Sequence, residues 1–478
     1  MSPPRFTPRQ RLVLTLMTVA VVGVFGLLAY SVLTTLRQSA ASPVSPLPTA
    51  SVSSPLTPPS IVTATGVLTA TPTPSPTPIP APTRAVPLSQ IQNARAVREV
   101  GRIVAGVRDL PPVEQIPVTF PTEHEVAIFL LRQYQEDRPQ EVLALCAALG
   151  LVPRLDPLPL PDVAAQAAHI SSLYLSTGRQ IMLVVGRGPA SPDDELGLVH
   201  ALAHALQDRE FGIESLVPCR PTTDAALALR ALVEGDGVLT TAQYAGLASD
   251  PAEVDRLARM AADAEEPVYA PLVGDAAFEW LRLFPYREGA QLAAALYADG
   301  GWQAVNRAYA RPPCSTEQVL HPERYLAGEP VQEVALPDLG PVLGEGWAQI
   351  RRDTLGELLI VLHLAVYLED DALAWDAADG WAGDTFVLWE SEEGQRVLVW
   401  RIAWDSQGEA EGFERAYGLL VPRFRTPPLI GADPPFGLPG RFWEGPAGAA
   451  YLARAGRVVS VVWGPDAETV TAVAGELP

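Results

Sequence analysis

The sequence predicts an α+β protein. Behind an N-terminal transmembrane helix and a disordered stalk stand a mainly helical domain with a small edge β-hairpin and a C-terminal α+β domain with an antiparallel sheet. Three observations carry this expectation. Residues 12–36 form one uncharged, largely apolar run. Residues 88–334 show three-and-four apolar spacing, interrupted by a pair of short strand-like runs. Residues 335–478 repeat the order hairpin, Trp, turn, helix.

The run Leu12 to Leu36 holds 25 uncharged residues, enough to cross a ~30 Å hydrocarbon core with some tilt. Arg5, Arg9 and Arg11 precede it and Arg37 follows. That bias predicts a cytoplasmic N-terminus (1–11), a signal anchor (12–36), and a cell-membrane protein with extracytoplasmic domains. The other reading is a cleaved signal peptide ending near Ser39-Ala40-Ala41, although a core of ~7–15 residues is usual there. Residues 37–87, with TPTPSPTPIPAPT at 71–83, are too rich in Pro, Ser and Thr to bury a core and read as an extended linker.

Residues 1–87 contain five arginines and no acid, so the remainder carries 29 basic against 55 acidic residues, a net charge of −26. Such a surface repels phosphate backbones, which excludes nucleic acid as a partner, and it keeps the globular part off anionic headgroups. Cys146 lies in an apolar helical run, whereas Cys219 and Cys314 lie in proline-marked loops. A Cys219–Cys314 bridge and three free thiols both remain open.

From residue 88 the segments IQNARAVREVGRIVAGV and EVAIFLLRQYQ read as helices. AAHISSLYLSTGRQIMLVVGR reads as a hairpin around Ser-Thr-Gly. Next, Ser191 is a good N-cap, Pro192 suits the first helical position, and Asp193, Asp194 and Glu195 complement the helix dipole. VHALAHALQD (199–208) therefore sits on a well-signalled helix. A further helix spans 222–247. In the C-terminal part, LGELLIVLHLAVYL precedes two copies of the hairpin pattern, closed by Trp404 and Trp463. These copies predict an internal duplication and a four-stranded antiparallel sheet with helices on one face.

His200 and His204 lie four residues apart, about 40° in helical projection, so both imidazoles can reach one metal ion. A hydrolytic zinc site takes three protein ligands and keeps one position for water. Glu234, in ALVEGDG on the next helix, is the candidate third ligand.

The order of hairpin, VHxxxHALQD helix and LVEGD helix resembles the core of gluzincin-type zinc metallopeptidases, the thermolysin-like HExxH…E architecture. The likeness is to a bacterial membrane-anchored branch whose usual motif is VHELxHALQD. The likeness is concentrated in residues 165–245 and extends more loosely through FPYREG (284–289) and PPCSTEQVLHPERY (312–325). It implies a zincin-like fold for residues 88–334, with Zn2+ held by His200, His204 and Glu234. It further implies that Asp208 orients His204, and that 181–185 is an edge strand on which a peptide lies by strand addition. His321 and Tyr286 become candidate auxiliary groups, His321 as a donor to an oxyanion, each with an ordinary structural alternative. Asp236 reads by default as a solvated carboxylate.

The departure is Ala201. In that family a Glu follows the first His and moves the proton between bound water and leaving amine, a contribution of typically ~10²–10⁴-fold. Glu195 projects about 140° from His200 and Glu210 lies past the motif, so neither replaces it. The expectation is a catalytically impaired pseudo-peptidase that binds peptide or protein. Its alternatives are an active zinc peptidase with a non-standard base, and a metal-free structural protein of the cell envelope.

Overall fold

The computed structural model of the chain describes residues 94–136, 145, 149–150, 161–186, 191–267 and 276–477. The expected anchor over 12–36, the linker over 37–87 and Cys146 lie outside them. Membrane attachment is corrected: no helix among the described residues is long and apolar enough to cross a bilayer. The most apolar, Gly356–Leu368, has 13 residues, about 20 Å at 1.5 Å per residue against a ~30 Å core. A longer helix such as Thr223–Ala245 carries Asp224, Arg230, Glu234 and Asp236. The expected single-pass, extracytoplasmic localisation and the membrane as a partner are corrected to the same extent: no described helix supplies a span for them.

The helical part contains α1 (Ala94–Arg108), α2 (Glu123–Glu136), α3 (Val163–His169), α4 (Pro192–Phe211), α5 (Thr223–Ala245), α6 (Pro251–Glu265) and α7 (Ala276–Ala310). α7 is broken at Gly300 and Gly301. Beside the helices lies a small sheet of β1 (Val118–Thr119), β2 (Ser172–Leu175) and β3 (Gln180–Leu183) in the order β1-β3-β2. The expected hairpin is β2–β3, but β1 pairs in parallel with β3. Residues 181–183 are therefore central, and among the described residues the outer strands are β1 and β2.

α4 starts as its sequence requires. Ser191 Oγ accepts from the Asp194 amide at 3.2 Å, and the Asp194 carboxylate accepts from the Ser191 amide at 2.6 Å, satisfying donors that a helix start otherwise leaves open. Gly212 ends the helix with φ 63°. Thr222 caps α5 by accepting from the Ala225 amide, and Gly246, φ 71°, ends it. Val199, Leu202 and Leu206 of α4 pack with Val100 of α1, Val238 of α5 and Leu283 of α7 in the main core of this part.

The C-terminal part runs β4 (Trp347–Asp353), α8 (Gly356–Leu368), α9 (Asp371–Ala378), β5 (Trp381–Ser391), β6 (Arg396–Trp404), α10 (Gln407–Phe424), β7 (Ile430–Ala432), β8 (Arg441–Gly445), β9 (Gly448–Ala455), β10 (Val458–Gly464) and α11 (Ala467–Gly475). Its sheet has seven antiparallel strands in the order β4-β5-β6-β10-β9-β8-β7. The four expected strands form its centre, where β6 and β10 place the two hairpins side by side. Three more strands flank them. Their sequences concealed this, since WAQIRRD carries three charges in seven residues and IGA and RFWEG are short and set in a stretch rich in Gly and Pro.

The helical and C-terminal parts meet through Thr223, whose hydroxyl donates to Asp353 at 2.6 Å, and Asp224, whose amide donates to the Thr354 carbonyl at 3.4 Å. Cys219 and Cys314 form a disulfide with their Cα atoms 5.5 Å apart.

Candidate metal centre

His200 and His204 present their Nε2 atoms 3.1 Å apart on the buried face of α4. Glu234 of α5 meets them: its Oε2 is 3.2 Å from His204 Nε2 and 3.6 Å from His200 Nε2. A triangle with those sides has a circumradius of about 1.9 Å, so one ion can lie at the ~2.0–2.2 Å bond lengths of zinc from all three atoms. Glu234 Oε2 is buried and, although both imidazoles lie within ion-pair range, no well-aligned hydrogen bond reaches it. A solvent-excluded carboxylate oxygen without a donor is costly, and a cation at that point would satisfy it.

Glycines bring these helices together. A Cβ on Gly235 would overlap the Gly289 carbonyl of α7, and one on Gly289 would overlap the Ala231 carbonyl. At Gly237 a Cβ would lie 2.8 Å from His200 Cε1, so the α5 surface facing the imidazole has to be bare.

A fourth side chain, which the sequence reading missed, joins them. Glu265, the last residue of α6, places Oε1 3.6 Å from both histidine Nε2 atoms. The ligating atoms of His200, His204, Glu234 and Glu265 lie within 4.8 Å of one another, so these buried histidine and acidic groups could hold a metal ion. The trace in the sequence is the acid pair of AADAEEP at a helix end, which gains meaning only once α6 packs across α5 and α7.

The electrostatics favour positive charge here. Burial alone would drive both imidazoles toward neutrality, yet Glu234 and Glu265 hold His204 well above its usual pKa, and Glu265 and Glu234 raise His200. Burial pushes Glu265 upward, but the two histidines overcome it and hold the carboxyl well below its usual range.

The supporting contacts differ from expectation. His204 Nδ1 lies 2.7 Å from Gln207 Oε1, and Gln207 in turn donates to the Val233 carbonyl at 3.0 Å. Gln207 Oε1 thus accepts from Nδ1, so Nε2 is the nitrogen whose proton an ion would displace. Asp208 instead accepts from Tyr174 at 2.7 Å and pairs with Arg179 at 3.2 Å. Tyr286 is fully buried, with its hydroxyl 3.2 Å from both Glu265 Oε2 and Glu266 Oε1. It therefore reaches the centre through Glu265. His321 is held elsewhere, by Glu357 at 3.0 Å. Glu195 accepts from Tyr244. Ala201 is 1% exposed and belongs to the apolar core.

A cleft of about 930 Å³ opens beside the centre, lined among others by Leu173, Tyr174 and Leu175 of β2, Arg230, Glu234 and Glu265. Fold and site thus define a protein with a buried two-histidine, two-carboxylate cluster beside a cleft bordered by the outer strand β2. Residues 345–474, the seven-stranded part, match the family described as Domain of unknown function (DUF8575). No curated protein and no solved structure matches the chain.

Proposed function

We propose that the protein is a zinc-binding, gluzincin-like pseudo-peptidase that holds extended peptide segments of partner proteins without cutting them. The observation that carries this reading is the convergence of His200, His204 and Glu234 to one point while the next position holds Ala201. Zinc bound there would supply Lewis-acid polarisation. The chain's own part in hydrolysis would be proton transfer, and a methyl group at position 201 accepts no proton. What remains is binding. Among the described residues β2 is an outer strand of its sheet, to which an extended peptide could add, and the adjoining cleft gives side chains somewhere to go.

A second reading, a working zinc peptidase, is favoured by the carboxylate of Glu265, which borders the cleft and could act as base from another helix. Metal analysis of the full chain, followed by incubation with a mixed peptide library with and without chelator, separates the two. Stoichiometric zinc with no turnover supports the pseudo-peptidase. Chelator-sensitive cleavage replaces it with the peptidase, and absence of metal removes both.

A further inference from the structure

We infer that Glu265 is the fourth ligand of a closed metal centre, occupying the position that a hydrolytic water would need, so that the ion ties α4, α5 and α6 together as a structural rivet. This rests on the metal-binding reading above and adds a residue and a role to it.

The geometry is the first support. Five of the six separations among the four ligating atoms are 3.1, 3.2, 3.6, 3.6 and 3.6 Å. A tetrahedron with bonds of 2.1 Å has edges of about 3.4 Å. Glu265 Oε1 stands at the same 3.6 Å from both Nε2 atoms, which is where a vertex belongs. Structural zinc sites fill all four positions with protein, whereas catalytic sites leave one open.

The second support is that Glu265 is held in place. α6 is tied to α7 by Arg287 to Asp255 at 2.6 Å and Arg282 to Asp263 at 2.8 Å. At the end of α6, Tyr286 takes Glu265 Oε2, leaving Oε1 toward the histidines. Tyr286 is itself held by Arg230, which donates to its hydroxyl at 3.4 Å and pairs with Glu266. Tyr286 is thus a positioning residue that aims the carboxylate. Charge agrees with this arrangement. A divalent ion is neutralised by Glu234 and Glu265, and Arg230 balances Glu266, so the buried group carries no net charge when loaded.

The closed sphere also accounts for the setting of Ala201. With the fourth vertex taken, an acid at that position has no water to act on, and Ala201 packs into the apolar core instead. Restoring the acid alone, in Ala201→Glu, then gives no turnover.

Cobalt substitution tests this without relying on activity. The full chain loaded with one equivalent of Co2+ is expected to show an intense four-coordinate visible spectrum that azide does not alter. Glu265→Ala is expected to admit azide, with a shifted spectrum, and to weaken zinc binding by about 100-fold or more, beyond the ~10–100-fold typical of a supporting partner. Glu265→Gln, nearly isosteric, provides the same comparison if the alanine variant does not fold. A metal-loaded wild type that responds to azide as the variants do overturns the inference alone. A wild type that takes up neither zinc nor cobalt overturns the metal-binding reading as well.

Discussion

Gly235 and Gly289 meet backbone against backbone where α5 crosses α7, with no room for a Cβ on either. The contact sets how deeply Glu234, one residue earlier, enters the core. Overpacking a close contact typically costs ~1–3 kcal/mol, and here the obstacle is backbone, which cannot rotate away. Gly235→Ala is expected to lie at or beyond the upper end of that range and to weaken zinc binding in parallel. Gly106, exposed near the end of α1 with open space around its Cβ direction, is the control. Gly106→Ala should stabilise by roughly 0.5–1 kcal/mol. Urea unfolding of both variants, with zinc titration of the first, checks the pair. Equal effects at the two glycines would refute the close-packing argument.

Gln207 is expected to act on the metal without touching it. It holds His204 Nδ1 while its own amide is fixed by the Val233 carbonyl, so the ring is oriented before an ion arrives. Gln207→Ala should weaken zinc binding by ~10–100-fold, read by competition with a chromophoric chelator, and leave far-UV circular dichroism unchanged. An unaltered affinity would show that the ring needs no such support.

The parts of this molecule visible in its sequence are those set by local chemistry. Ser191 and Asp194 announce the start of α4, Gly212 and Gly246 mark helix ends, and the four-residue spacing of His200 and His204 follows from helical period alone. Glu234 could be named because it lies on the next helix. Glu265 could not, because its approach depends on how α6 lies across α7. Gln207 and Asp208 both share a face with His204 (three and four residues on), and only the tertiary positions of Val233, Tyr174 and Arg179 decide which one turns toward it. The same holds for β4, β7 and β8, short or charged strands recruited by a sheet whose centre the alternating hairpins had already specified. The anchor expected from residues 12–36 finds no counterpart among the described helices.

Asp236 shows how a residue read as solvated becomes structural. It forms a two-point ion pair with Arg108 at 2.6 and 3.0 Å, both side chains 0% exposed, and accepts from Tyr309 at 2.7 Å. Arg108 also lies 4.2 Å over the Trp302 ring. Removing one partner leaves a buried charge without compensation, which costs ~3–5 kcal/mol. Asp236→Ala is expected to lose that much in urea unfolding. The double variant with Arg108→Met should lose less than the two single changes added together, and strict additivity would contradict the pairing.

Asp224 makes stability depend on pH at the junction of the helical and C-terminal parts. Its carboxylate is 0% exposed, and Oδ1 accepts from the Thr316 amide and hydroxyl while Oδ2 has no partner. Burial, helped by nearby Asp384 and Glu357, outweighs those two hydrogen bonds and pushes the group from 3.8 up to about 7. Because the folded-state value is raised, the folded protein binds the proton more tightly than the unfolded chain does. The stability this contributes is complete below the ordinary carboxyl range and is lost as pH rises through about 7. Asp384, raised to about 6, and Glu317, raised to about 9, act in the same direction; buried His363, lowered to about 4, acts oppositely and only on the acid side. Comparing wild type with Asp224→Asn isolates the one group, since the amide keeps an acceptor for Thr316 and carries no charge at any pH. The variant's stability relative to wild type, from urea unfolding at pH 5 and pH 8, is expected to improve between the two values. A difference that is the same at both would mean that Asp224 does not titrate in this range.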